Sequence, residues 1–150
     1  MSHFFRVLAS LWMFTGVAVR AQEAAEIHIR GNDEMKYDVT AFEVKAGQKV
    51  RLTLRNAGKL PRQVMGHNLT ILKPGSSKEA FALEANKFAA NDYIPTSSPF
   101  KDQIIAHTRL LGPGESQTIE FTAPAETGEY DYVCSFPGHC KVMSGRMTVK

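Results

Sequence analysis

A cysteine, a histidine and a methionine stand in the order C-x4-H-x3-M at Cys134, His139 and Met143. Thiolate, imidazole and thioether are the soft and borderline donors that hold a copper ion cycling between Cu(II) and Cu(I). Pro137 and Gly138 allow a sharp turn between the first two, so that both can face one ion. A mononuclear site needs a second imidazole from elsewhere. His67, within Val64-Met65-Gly66-His67-Asn68, is the candidate. The thiolate of Cys134 would donate strongly to Cu(II), with the metal keeping it deprotonated. His67 and His139 suit both oxidation states, and Met143 suits a long, weak axial contact that tunes the potential. A site whose geometry changes little between oxidation states favours electron transfer over substrate binding.

The elements that must position these donors read as short strands. Period-two or β-favouring runs fall at 27–29, 42–44, 50–55, 68–72, 104–111, 116–122, 129–134 and 145–149. Turn signals separate them at Ala46-Gly47, Asn56-Ala57-Gly58, Gly112-Pro113-Gly114 and Thr127-Gly128. About eight strands at this spacing predict an all-β Greek-key sandwich or barrel. One segment departs from the pattern. Ser76 followed by Glu79 has the form of a capping box, and Phe81, Ala85 and Phe88 recur at helical spacing. The prediction is an inserted helix over 77–90, packed on the sandwich by that stripe, then a loop over 91–102.

The first 21 residues read as a secretory signal: a basic start, an apolar stretch at 7–19, and Val19-Arg20-Ala21 before the cut. The apolar run is too short and interrupted for a comfortable membrane span, so no stable membrane association is expected. Residues 22–150 then form one domain. Without Arg6 and Arg20 the 18 basic residues become 16 against 15 acidic, a net charge of +1. That balance, with no clustered basic run, excludes nucleic acid as the expected partner. A bridge between Cys134 and Cys140 would close a small loop but leave His139, Met143 and the Gly66-His67-Asn68 turn without a purpose. Metal ligation by Cys134 ranks above it, and Cys140 reads as a buried small hydrophobe open to oxidation. His28 and His107 read as surface residues.

At these residues the chain resembles the azurins, cupredoxins of bacterial periplasms. Gly31-Asn32-Asp33-Glu34-Met35, Leu60 to Asn68, Ile105-Ala106-His107-Thr108-Arg109-Leu110 and Gly112-Pro113-Gly114-Glu115 match family segments in order, as does the C-x4-H-x3-M loop. The resemblance implies a trigonal site of His67, Cys134 and His139, with Met143 and the carbonyl oxygen of Gly66 axial. It implies that backbone N–H groups of Asn68 and Phe136 bond the Cys134 sulfur, and that the Asn68 side chain ties the two ligand loops. It also implies an apolar docking patch around His139 that includes Met35, Leu60, Met65, Phe136, Pro137 and Val142. The corresponding role is a periplasmic one-electron carrier, docking transiently with c-type cytochromes and a terminal reductase. Five positions depart from the family. Ala25 and Gly47 stand where a cysteine pair is usual, Leu69 where a buried tryptophan is familiar, Asn56 replaces a histidine near the site, and Cys140 is an extra thiol.

Other function classes fit less well. Redox enzymes with further copper sites need more ligands than His28 and His107 can supply. A binuclear copper centre needs a different cysteine spacing. Copper chaperones favour Met and Cys clusters on mobile segments. His67, Cys134 and His139 could also hold Zn(II), as an expression artefact.

Overall fold

The structure is a computed structural model that describes residues 23–150. The expected leader, 1–21, lies outside the described residues. The described residues form eight strands: β1 (Ala25–Gly31), β2 (Ala41–Val44), β3 (Lys49–Asn56), β4 (Thr70–Leu72), β5 (Ile104–His107), β6 (Ser116–Thr122), β7 (Gly128–Val133) and β8 (Ser144–Val149). Two short helices interrupt them, α1 (Arg62–Met65) and α2 (Lys78–Ala85). Among the described residues, no helix is long and apolar enough to cross a membrane.

The strands divide into two sheets, ordered β1-β3-β6 and β2-β8-β7-β4-β5. The fold is an open sandwich, so the barrel alternative is set aside. Pairing is parallel for β1 with β3 and for β2 with β8, and antiparallel elsewhere. Strand β3 shows why the sheets face each other. Val50, Leu52 and Leu54 point inward and are at most 1% exposed, while Lys49, Arg51 and Arg55 point to water. They meet Tyr130, Tyr132, Met147 and Val149 of the larger sheet across a shared core that also contains Ile29, Leu69 and Ile71. A period-two sequence can bury only one face, and two such sheets stacked together satisfy both.

The inserted helix is shorter than predicted and starts one residue later. Ser77, not Ser76, is the N-cap, its Oγ accepting from the Ala80 N–H at 3.2 Å. Phe81 lies on the buried face of the helix, where it is fully covered with Ala85. After Ala85 the chain tightens into a 3-10 turn over Asn86–Asn91, and Phe88 leaves helical geometry (φ −112°, ψ 38°) and is only half-buried. Phe81 joins Leu72, Val133 and Cys140 in a second apolar cluster, roofed by α2 and separate from the main core.

Candidate metal centre

His67 is held by its neighbours before any metal arrives. Its N–H donates to the Leu111 carbonyl at 3.1 Å and its own carbonyl accepts from the Leu111 N–H at 2.8 Å. Gly66 precedes it because no side chain fits there. A Cβ at that point would lie 2.6 Å from the Arg62 carbonyl oxygen and 2.9 Å from the Leu110 side chain. The fully buried Asn56 braces the same loop, its Nδ2 donating to the Leu111 carbonyl at 3.0 Å while its Oδ1 accepts from the Gly58 N–H at 2.9 Å. The imidazole is also oriented. Nε2 lies 2.9 Å from the Asn32 carbonyl oxygen, so Nε2 carries the proton and Nδ1 keeps its lone pair. That Nδ1 is buried with no hydrogen-bond partner.

Cys134 follows the last residue of β7, and its N–H donates to the Met143 carbonyl at 3.0 Å. The chain then turns back through Gly138, whose φ of +82° suits glycine. The His139 N–H bonds the Phe136 carbonyl at 3.1 Å, and the Val142 and Met143 N–H groups bond the His139 carbonyl at 3.1 and 2.8 Å. One turn of chain thus presents thiol and imidazole together, with Cys134 Sγ 3.5 Å from His139 Nδ1. A nitrogen of His67, the Cys134 sulfur and a nitrogen of His139 all lie within 4.8 Å of one another. The two imidazole rings are 5.3 Å apart, and Phe136 packs on His139 at 4.7 Å between ring centres.

Burial sets the charge state of these groups. It pushes the Cys134 thiol up to about 12, opposed by backbone N–H bonds to the sulfur from Asn68 and Phe136. It holds His139 down at about 4, reinforced by His67, and lowers His67 as well. The metal-free pocket is therefore a neutral thiol beside two neutral imidazoles. A buried lone pair with no partner is costly, and three donors aimed at one point are the arrangement a thiophilic cation resolves. Loading must expel the thiol proton, which makes cation binding pH-dependent.

The Asn68 side chain joins the two ligand-bearing segments. Its Oδ1 accepts from the Ser135 N–H, and its Nδ2 donates to Ser135 Oγ and to the Asp92 carbonyl, each at 2.8 Å. Met143 is fully buried. Its methyl carbon and the His67 ring both lie within 3 Å of the place a Gly31 Cβ would occupy, so Gly31 is a wall of the pocket. Nothing in sequence spacing singled out that role for Gly31. The surface residues separate into layers. Leu60 is 42% exposed, Val142 55%, and Pro137 is exposed, whereas Met35 and Met65 are half-buried. Phe136 is only 7% exposed, so it backs the His139 ring and does not face a partner. Val64, 60% exposed on α1, is a further apolar surface residue that no motif in the sequence marks.

Residues 23–150 match the family model described as copper binding proteins, plastocyanin/azurin family. The chain belongs to that family. Azurin from Alcaligenes faecalis is 34% identical over 126 residues, covering 81% of this chain and 95% of the relative. Azurin from Pseudomonas aeruginosa is 32% identical, covering 83% and 84%. The solved structure of dithionite-reduced auracyanin from Roseiflexus castenholzii aligns with a TM-score of 0.74 and 36% identity, over 84% of this chain and 97% of that one.

Against the azurin pattern, the departures now have surroundings. Both cysteines are free, and Ala25 and Gly47 stand without the family's bridge. Leu69 is fully buried in the main core at the tryptophan position. Asn56 keeps the loop bonded with a group that does not titrate. Cys140 turns away from the metal pocket, 6% exposed, its thiol donating to the Lys78 carbonyl at 3.3 Å beneath α2.

Proposed function

We propose that the protein is a one-electron carrier of the azurin type, working in the periplasm between c-type cytochromes and a terminal reductase. The reading rests on one observation: a fully buried cysteine sulfur and two oriented imidazoles converge within 4.8 Å. In this reading His67 through Nδ1, Cys134 through Sγ and His139 through Nδ1 would hold the ion, with the Met143 thioether and the Gly66 carbonyl oxygen as further, weaker donors. Copper held there would take up one electron and pass it on by cycling between Cu(II) and Cu(I).

The chain's own residues supply a rigid setting. The Asn32 carbonyl fixes the His67 tautomer, and the Asn68 and Phe136 N–H groups draw charge from the thiolate, which raises the potential. Phe136, Met143 and Leu69 exclude water, and the Asn68 bonds keep the loops from spreading as charge changes. Leu60, Val64, Pro137 and Val142 offer apolar surface for brief docking. Adding Cu(II) to metal-free protein should produce an intense thiolate-to-copper charge-transfer band and a narrow copper hyperfine splitting, both lost on reduction. A colourless product with ordinary tetragonal EPR parameters would reject the assignment.

A further inference from the structure

The outer face of the smaller sheet carries its charges in rows across β1, β3 and β6. In one row Arg51 is bonded to Glu26 at 3.0 Å and to Glu120 at 2.9 Å. The next holds His28, Thr53 and Thr118, with the two threonine hydroxyls 2.7 Å apart. The row nearest the metal pocket breaks this matching. Arg30 and Arg55 are register partners on parallel strands, both exposed, with Ser116 as the third member. Among the described residues, neither guanidinium has a carboxylate partner, whereas Arg51 has two.

Like charges side by side on a sheet are destabilising. The neighbouring carboxylates do not remedy it. Asp38 accepts from the Arg30 backbone N–H at 2.7 Å, and Asp33 from the backbone N–H groups of Lys59 and Leu60 at 2.8 and 3.4 Å. With Lys59, the two arginines line a groove of about 380 Å³ floored by Asn56, Ala57, Gly58 and Gly114. The groove is joined along the chain to a wall of the metal pocket and to the exposed apolar surface. Arg30 precedes Gly31, the wall against His67 and Met143, and Lys59 precedes the exposed Leu60.

We propose that this basic groove seats a cluster of carboxylates on the redox partner, so that the partner pairs an acidic rim with an apolar contact. The proposal rests on the electron-carrier reading and names the class of partner. Residues 23–150 carry nearly balanced charge, so long-range attraction has little net charge to draw on. A local row of unmatched cations can still steer an acidic surface and set its orientation, with little effect on final affinity. Concave placement lets two guanidiniums grip a carboxylate in forked geometry, which a scattered set of lysines does not.

The test has a copper-independent arm. Metal-free protein, labelled with 15N, is titrated with hexacyanochromate(III), a paramagnetic and redox-inert trianion. Broadening should centre on the amides of Arg30, Arg55, Ala57, Gly58 and Lys59. It should vanish in the Arg30→Gln/Arg55→Gln/Lys59→Gln variant. Even broadening over all surface lysines would overturn the site. The second arm measures electron transfer between the copper-loaded protein and two c-type cytochromes, one with an acidic and one with a basic surface. At low salt the triple variant should slow the acidic cytochrome by about tenfold and flatten its salt dependence. A control variant, Lys45→Gln/Lys49→Gln/Lys150→Gln, loses equal charge elsewhere and should change that rate less than about twofold. Equal slowing by both variants, or broadening at the groove with no change in rate, would overturn the docking role. A protein that forms no copper centre fails only the second arm, so the two readings fail separately.

Discussion

Two thiols six residues apart on one loop meet opposite surroundings. Cys134 points into a pocket of donors with unfinished valence: an imidazole nitrogen without a partner and a second imidazole 3.5 Å from the sulfur. Cys140 points under α2 into Leu72, Phe81 and Val133, and its one polar need is met by the Lys78 carbonyl. The first environment is incomplete without a cation and the second is already complete. Reactivity here follows the company each sulfur keeps, since both are buried and both have raised thiol pKa values.

The largest expected effect breaks the comparison outright. Cys134→Ser should abolish the charge-transfer band, while Cys140→Ser should leave band and EPR signal intact. Loss of colour in the second variant would show that the two sulfurs share the site. The next effect falls on the α2 side. Phe81→Ala empties the centre of that cluster and should cost about 3–5 kcal/mol in denaturant unfolding. The charge-transfer spectrum of the protein that remains folded should be unchanged, and a shifted band would mean the two environments are mechanically coupled.

A smaller effect belongs to the metal pocket alone. His139 is held neutral by burial, with a folded value of about 4 against 6.5 for an ordinary imidazole. The unfolded chain therefore binds more protons between those values, and metal-free protein should lose stability as pH falls from 6.5 towards 4. The loss from His139 should be on the order of 2 kcal/mol, and His139→Gln should make that part of the profile shallower, with the remaining slope belonging to His67, which burial also lowers. The smallest change is Cys140→Ala. It removes one weak hydrogen bond and little volume, and should lower the unfolding free energy by about 1 kcal/mol without moving the copper spectrum.

Chemistry was more legible in the chain than the layering around it. The C-x4-H-x3-M spacing nominated Cys134 and His139, because a turn brings short spacings together whatever the fold; His67, 67 positions before Cys134, was legible only as the second imidazole a mononuclear site needs. The β class followed from period two, and Val50, Leu52 and Leu54 point inward as alternation requires. Strand ends were less legible. The run at 68–72 pairs as a strand only over Thr70–Leu72, since His67 and Asn68 are committed to the site. The run at 104–111 ends as a strand at His107, after which Thr108 and Leu111 bond the loop that carries His67. Capping at Ser77 could not be read from the Ser-Ser pair, because either hydroxyl can cap and only the bond from the Ala80 N–H selects one. The depth of Phe136 was hidden for a similar reason: its ring is covered by Tyr93, 43 positions earlier in the chain and 5.1 Å away.

The Asn68 clasp has a consequence for how the molecule comes apart. It joins the segment leading into β4 to the segment leaving β7, and it is anchored a third time at Asp92. The donor triangle therefore cannot open by fraying of one loop; the adjacent strands of the larger sheet must part with it. Amides around His67 and Ser135 should then exchange with solvent only through whole-domain unfolding, in the metal-free protein as in the loaded one.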